Sequence, residues 1–433
     1  MRVLVYPHSM ELGGSQMNAI QIAGALRDRG HEVAVISDPG PLVARVAAMG
    51  LEHIELPSRR SRPSPGVARL LRDLVGARAF DVVHGWEWPP ILDAFFGVGL
   101  PGRAAVVGTV MSMSVPAFLP RRIPLTLGTE AIRLAAVAGG HRRAALLEPP
   151  IDAEADRPQL DSGAFRGALG VAPDEILIGI VCRLAPDLKL EGLLSACRAV
   201  RALAESGAPV RLAIVGDGAA RGQVAAEAEA ANAALGRPIV MLTGEMADPR
   251  PCYAAADIVL GQGGSALRGM AFAKPVVVVG EDGFSELLTP GSAPIFLHQG
   301  WYGLGPGSQG SGAPALQEAL RRLISSPPLR AELGRFGRRL VEARFSLTGA
   351  AQTMERIYLA VAGEPAPAGA RALDALFCGS RVLSYKLERR YMRWMGRAAA
   401  DDANARAKIA AVLSATDPSS VEKTDRLPRG RTA

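Results

Sequence analysis

Short runs of β-branched residues alternate with segments of helical period, and this alternation passes through the chain twice. In the first part, extended runs read at Arg2–Tyr6, Glu32–Ile36, His53–Leu56, Asp81–His84 and Ala105–Val110. Helical stretches fall between them at Ser15–Arg29, Pro41–Ala48 and Val67–Val75, the first carrying Ile20, Ile22, Ala23 and Leu26. Strands that are apolar almost throughout and spaced by helices belong to a parallel sheet covered on both faces. A polar stretch, Asp152–Ser162, reads as a linker. The alternation then restarts, with strands at Ile176–Val181, Val210–Val215, Ile239–Leu242, Ile258–Leu260 and Val276–Val279. Helices are expected at Glu191–Ala204, Gly222–Ala234 and Ala266–Ala273. The fold class is thus α/β: two doubly wound halves of similar size joined by a linker, with a cleft between them and ligands bound beyond the carboxyl ends of the strands.

Composition narrows the function. A chain of 433 residues that is 48% apolar has room for two or three domains and is not disordered. No apolar stretch of about 18 residues is free of charge, so no spanning helix is expected. MRVLVYPHSMELGG reads as a strand, not a signal peptide. Cys182, Cys197, Cys252 and Cys378 lie far apart without a CxxC spacing, which speaks for a reducing cytoplasm and against a structural metal. No metal or cofactor is expected. From Pro365 onward there are 13 Lys+Arg against 7 Asp+Glu, so +6 of the net +7 lies in the tail. The nearly neutral body offers no basic face for nucleic acid. Arginine outnumbers lysine 44 to 5, a bias of GC-rich coding, so each retained Lys hints at a site that wants a compact ammonium.

Three glycine-bearing loops sit at strand-to-helix junctions: Gly13-Gly14-Ser15, Gly216-Asp217-Gly218 and Gly261-Gln262-Gly263-Gly264-Ser265. Such loops let backbone N–H groups approach an anion at a helix N-terminus. Alternatively they make only tight turns, with Ser15 and Ser265 as N-caps. Gly261, Gly263 and Ala266, with Glu281 twenty residues on, also approximate a dinucleotide fingerprint. Arg183 and Lys189 follow the second half's first strand and together suit a pyrophosphate, Arg as a planar fork and Lys as a point charge. His84, Trp86, Glu87 and Trp88 follow a strand of the first half, where paired indoles suit a sugar or apolar ring face or else a core corner. His8, His31, His53, His141 and His298 read as structural or surface residues. Gln299–Ala313 is a long Gly-rich loop, expected to be solvent-exposed.

In Arg381–Arg397, Leu383, Leu387, Tyr391, Trp394 and Met395 fall on one helical face, while Lys386, Arg389, Arg390, Arg393 and Arg397 line another. That pattern fits a membrane-surface or partner helix, or a helix docked on the body with solvated cations. Disorder is expected from Asp417 to Ala433.

The order of these motifs resembles the GT-B retaining glycosyltransferases of the family-4 type over about the first 360 residues. The resemblance rests on the early Gly-Gly loop, Asp81-Val82-Val83-His84, Pro149-Pro150-Ile151-Asp152 and the Arg183…Lys189 loop. It continues through Val215-Gly216-Asp217-Gly218, Tyr253-Ala254-Ala255-Ala256-Asp257 and Met270-Ala271-Phe272-Ala273-Lys274-Pro275. It implies two facing Rossmann-like domains of the GT-B fold with a C-terminal helical tail, and a nucleotide-sugar donor held mainly by the second domain. Arg183 and Lys189 would hold the donor diphosphate, Gly14 and Ser265 would approach it, and Glu286 would lie near it. Gly263, Gly264, Arg268 and Glu281 are further donor-side candidates; His84, Trp86 and Glu87 are acceptor-side candidates. The chain departs from the family at Arg268, where a second carboxylate is usual, and at Thr109-Val110-Met111-Ser112, where a His is often found. Read in the first turn of its helix, Arg268 would oppose the macrodipole, which points to a nearby anion: the donor diphosphate, or else Glu281 or Glu286.

The resemblance implies a hexosyl- or other glycosyltransferase (EC 2.4 type) of bacterial carbohydrate biosynthesis, cytoplasmic, with an envelope lipid, glycan or secondary metabolite as acceptor. The expected domains are 1–160 on the acceptor side, 161–346 for the donor, a crossover helix at 347–363 packing back on the first domain, and a basic tail at 364–433. Peripheral membrane contact would run through 381–397. The alternatives are a non-catalytic nucleotide-sugar-binding relative of the same fold and a dinucleotide-dependent oxidoreductase.

Overall fold

Both series of apolar runs form parallel sheets in the computed structural model, which describes residues 1–57, 61–161, 163–362, 366–397 and 404–416. The chain divides into two units, one comprising Met1–Pro149 and the chain from Leu347 onward, the other Pro150–Ser346.

In the first unit the elements run β1 (Arg2–Tyr6), α1 (Gly14–Asp28), β2 (Glu32–Ser37), α2 (Val43–Ala48), β3 (Glu52–Glu55), α3 (Pro65–Arg78) and β4 (Val82–Trp86). They continue α4 (Trp88–Ala94), β5 (Ala105–Val110), β6 (Leu125–Leu127), α5 (Glu130–Ala138) and β7 (Ala144–Leu146). The seven strands pair in parallel in the order β3-β2-β1-β4-β5-β6-β7. Val3, Leu4, Val5 and Tyr6 of β1 are all buried because helices cover both sheet faces. Val3 and Val5 face Ile20, Ile22 and Leu26, while Leu4 and Tyr6 face Leu71, Val75 and Val98. The α4 helix has no counterpart in the sequence reading, which assigned no element between Asp81–His84 and Ala105–Val110. Its prolines occupy the first turn, where an N–H would lack a partner anyway.

The second unit contains α6 (Gly163–Ala168), β8 (Ile176–Val181), α7 (Leu190–Glu205), β9 (Val210–Val215), α8 (Arg221–Leu235), β10 (Val240–Gly244), α9 (Arg250–Ala255) and β11 (Ile258–Gly261). After these come α10 (Gly264–Ala271), β12 (Val276–Val279), β13 (Ser285–Leu287), α11 (Ala293–Gln299), α12 (Gly312–Ile324) and α13 (Pro327–Arg344). Its sheet order is β10-β9-β8-β11-β12-β13, parallel except for β13 against β12. The stretch 152–161, expected to be a linker, is pinned within this unit. Arg338 donates to the carbonyls of Ala153, Asp156 and Ala271, and the Asp156 side chain is buried. The Gly-rich loop is exposed as expected at Pro306 and 308–311, but its start is not, since Trp301 and Tyr302 are buried and Trp301 stacks on Phe296.

The chain then returns to the first unit as α14 (Leu347–Ala362), whose Ala351, Met354 and Tyr358 join the cluster of Val3, Ile20 and Leu26. Glu355 of α14 pairs with Arg29 and His31. Two further helices follow, α15 (Ala368–Trp394) and α16 (Arg406–Ala415). The α15 helix docks one of its faces on the first unit. Asp374 accepts from the N–H groups of Arg121 and Arg122, and Tyr385 packs against Phe118 and the edge of Trp88. Among the described residues no helix is long and apolar enough to cross a membrane. The stretch expected to be disordered, from Asp417, lies outside the described residues.

Candidate functional site

In the second unit the strand order reverses between β8 and β11, the place where doubly wound sheets open a crevice at their carboxyl ends. The loops leaving these two strands are the Arg183…Lys189 loop and the Gly261–Gly264 loop. The first is shaped by its neighbour after β9. A Cβ on Gly216 would lie 1.9 Å from the Cys182 carbonyl oxygen, so Gly216 serves close backbone packing and not anion binding. Leu184 N–H closes onto the Asp217 carbonyl.

Lys189 is half-buried, and its Nζ donates to Gln262 Oε1 at 2.6 Å. Gln262 Nε2 donates in turn to the Leu188 carbonyl at 2.8 Å. Leu188 holds a left-handed φ of 65°, and its N–H donates to Glu281 Oε1 at 3.0 Å. Tyr302 donates its hydroxyl to the other Glu281 oxygen. This network fixes the lysine with a neutral amide, so its charge is not cancelled by its closest partner. Desolvation pushes the ammonium below its ordinary value. Arg183, two residues beyond the end of β8 at Val181, is exposed.

Across the switch point, Gly263 caps α10 with φ 52°, and a Cβ on Gly263 or Gly264 would meet nothing within 4 Å. The helix N-terminus offers fewer donors than the glycine-rich sequence suggests. The N–H groups of Gln262, Gly263, Ser265, Ala266 and Leu267 all bond inside the chain, leaving that of Gly264. Ser265 is neither the N-cap nor a free hydroxyl: its Oγ donates to the Gln262 carbonyl at 2.9 Å and accepts from the Gln262 N–H.

Three donor-side candidates carry structural duties. Arg268 lies in the last turn of α10, not the first, so it complements the macrodipole. Its Nε donates to Asp156 Oδ2 at 2.8 Å, and neither Glu281 nor Glu286 is its partner. Burial pushes the Asp156 carboxyl up, and the Arg268 charge works against that rise. Glu286, on antiparallel β13, accepts from the Ser308 N–H and hydroxyl. Glu281 is engaged by Leu188 and Tyr302, which spends the carboxylate that a dinucleotide ribose would need.

In the first unit the order reverses between β1 and β4, which lead to the Gly13-Gly14 loop and to Glu87. Gly13, not Ser15, caps α1, and a Cβ on Gly14 would meet nothing within 4 Å. Glu87 is 7% exposed with φ 66° and accepts from Ser15 Oγ at 3.0 Å, Met111 N–H at 2.9 Å and Ser112 Oγ at 2.8 Å. It ties the start of α1 to the loop after β5. His84 and Trp86 are fully buried, which removes them from ring stacking with a substrate. They alternate with outward positions only in a half-covered strand, and β4 is covered on both faces. The His84 ring nitrogens lie 2.6 Å from Tyr358 Oη and Thr109 Oγ1, and desolvation pushes the imidazole down to about 3. Sequence reasoning missed Gln262, Tyr302 and Asp156 as partners; Gln262 alone carried a signal, standing inside a flagged loop.

A glycosyltransferase family 4 domain model matches residues 12–137, and a glycosyl transferases group 1 model matches residues 175–326. A comparison with curated proteins finds no match. Among solved structures, a glycosyltransferase from Rickettsia africae superposes with a TM-score of 0.67 at 17% identity, covering 82% of this chain and 97% of that one. HepE from Anabaena, solved with UDP, gives 0.65 at 18% identity, with 83% and 100% covered. WaaG, a glycosyltransferase involved in lipopolysaccharide biosynthesis, gives 0.57 at 18% identity, with 83% and 99% covered. These likenesses establish the fold; the two domain models, in the same order and together spanning well over half the residues, establish the family. The chain belongs to the GT-B glycosyltransferases of the family-4 type.

Proposed function

We propose that the chain moves a sugar from a nucleotide-sugar donor to an acceptor hydroxyl with retention at the anomeric carbon, and that the second unit holds the donor diphosphate. The observation that carries this reading is the placement of Arg183, Lys189 and the open Gly264 N–H on the two loops of one switch point. The UDP in the Anabaena structure supports a uridine nucleotide as the first donor to test. The acceptor oxygen bonds to the anomeric carbon as the carbon–oxygen bond to the diphosphate breaks, and the leaving phosphate oxygen takes the acceptor's proton. Arg183 and Lys189 stabilise the charge that develops on the leaving group. A protein base is not required on this course. His84 is buried with both nitrogens bonded, and the Glu87 carboxylate already accepts three hydrogen bonds, so neither suits that role. Glu87 is instead a positioning residue, and Glu281 acts through the Leu188–Lys189 backbone.

Titration with UDP tests the reading. A charge-assisted hydrogen bond to phosphate is worth about 1.5–3 kcal/mol, so Arg183→Ala weakens UDP binding roughly ten- to a hundredfold. Lys189→Ala acts similarly. Unchanged UDP affinity in both variants refutes the assignment, and the anomer first formed from a hydrolysed donor tests retention.

A further inference from the structure

The α15 helix has two faces of different fate. One face is fixed to the first unit by Asp374, Cys378, Val382 and Tyr385. The other carries Leu373, Leu376, Leu383, Leu387, Tyr391 and Trp394, exposed by 62, 73, 61, 62, 57 and 80%. At about 100° per residue these six positions fall within roughly 80° of arc, a stripe about 32 Å long. Because the opposite face is anchored, the helix cannot roll to bury the stripe. Exposed leucines set singly need no explanation, but a continuous apolar stripe ending in Tyr and Trp does.

The charge beside the stripe selects its occupant. Residues 381–397 hold six cations, Arg381, Lys386, Arg389, Arg390, Arg393 and Arg397, against the single anion Glu388, a net +5. On the helical wheel Lys386, Arg390 and Arg393 flank one edge of the stripe, from which long side chains can reach past an apolar layer to phosphate. A second copy of the same helix would bring two such stretches together, and their repulsion disfavours self-pairing. We propose that this face of α15 is a docking surface for an anionic lipid bilayer, lying in the headgroup plane with Leu383, Leu387, Tyr391 and Trp394 inserted. The attraction rests on two signals, apolar burial and basic residues near an anionic surface, and neither depends on the glycosyl-transfer reading.

The test uses the full chain with vesicles of equimolar phosphatidylglycerol and phosphatidylcholine, and with phosphatidylcholine alone. Co-sedimentation is expected with the anionic vesicles, weakening as salt rises. Trp394 emission should shift to the blue on binding, a shift absent in Trp394→Phe. Each of Arg390→Gln and Arg393→Gln should lower partitioning about fivefold, corresponding to ~1 kcal/mol per basic residue. Leu387→Ser with Trp394→Ser should abolish partitioning while nucleotide binding and melting temperature stay unchanged, since both side chains are exposed. No binding to either vesicle, or equal binding to both, overturns the proposal. So does a concentration-dependent dimer in the absence of lipid that the same double variant dissociates.

Discussion

Replacing Arg268 with Ala probes whether this cation serves the donor or the fold. Its Nε is 2.8 Å from Asp156 Oδ2, with the side chains 27% and 5% exposed. Removing one partner of a buried pair costs about 3–5 kcal/mol, because the other charge is left without compensation. Water reaches Arg268, and Asp156 can take up a proton, so roughly 2–3 kcal/mol is expected for Arg268→Ala. For a unit of this size that corresponds to about 4–12 °C in the melting temperature of the second unit, read by calorimetry. The pH dependence has a definite sign. Burial already pushes Asp156 up, and removing Arg268 takes away its largest opposing influence. A carboxyl raised in the folded state destabilises above its folded value and ceases to do so as pH falls toward its unfolded value, about 3.9. The deficit of Arg268→Ala is therefore largest at neutral pH and shrinks on acidification. Asp156→Asn in the Arg268→Ala background should recover part of the loss. Restoring the family's carboxylate with Arg268→Glu should cost more than Ala, as it sets two carboxylates together. An unchanged melting temperature, with affinity lost in proportion to phosphate number across nucleoside, monophosphate and diphosphate, would refute this reasoning and make Arg268 a phosphate ligand.

Glu87→Gln keeps the shape of the side chain but replaces one acceptor oxygen with a donor; a loss of about 1–2 kcal/mol in the first unit's stability, with lower turnover, is expected in denaturant titration and donor-hydrolysis assays. Tyr302→Phe removes one hydrogen bond from Glu281 and should weaken UDP binding by a few-fold, while stability in denaturant titration falls by only about 1 kcal/mol. His84, held near 3 in the folded chain against 6.5 in the unfolded one, binds fewer protons when folded, so the first unit loses stability as pH falls below about 6.5; His84→Gln should flatten that slope. Gly216→Ala should abolish soluble expression or UDP binding, since its Cβ would overlap the Cys182 carbonyl.

The strands were the most legible part of the chain. Arg2–Tyr6, Ala105–Val110, Ile176–Val181, Val210–Val215 and Val276–Val279 stand where their apolar runs place them, because strands buried on both faces carry an unbroken signal. The three-residue strands β6, β7 and β13 are too short for any periodicity to register. A shift of two residues at the start of α10 had a larger effect. Reading Gly263-Gly264 as a turn put Arg268 against the macrodipole, whereas the helix begins at Gly264 and the dipole favours the cation. Partnerships were the least legible part. Lys189 and Gln262 are 73 residues apart, Arg268 and Asp156 112, and His84 and Tyr358 274. Local pattern carries no information about such pairs. They follow only once the sheet order is known.

That order also accounts for how the switch point of the second unit retains positive charge without the family's carboxylates. At the position of the second one the chain carries Arg268, and its charge is matched by Asp156 from the 152–161 stretch, leaving the pair neutral. Lys189 is held by the amide of Gln262, which orients the ammonium and cancels none of its charge. Among the described residues Glu281 is the one carboxylate bonded into the loop, and its oxygens are taken by the Leu188 N–H and the Tyr302 hydroxyl. Among the described residues neither Arg183 nor Lys189 is in a salt bridge, and the closest partner of Lys189 is a neutral amide. A leaving diphosphate supplies the missing negative charge, and its affinity should fall with ionic strength as that of an exposed charge pair does. A nucleoside without phosphate should show no such fall, which separates recognition of charge from recognition of the base.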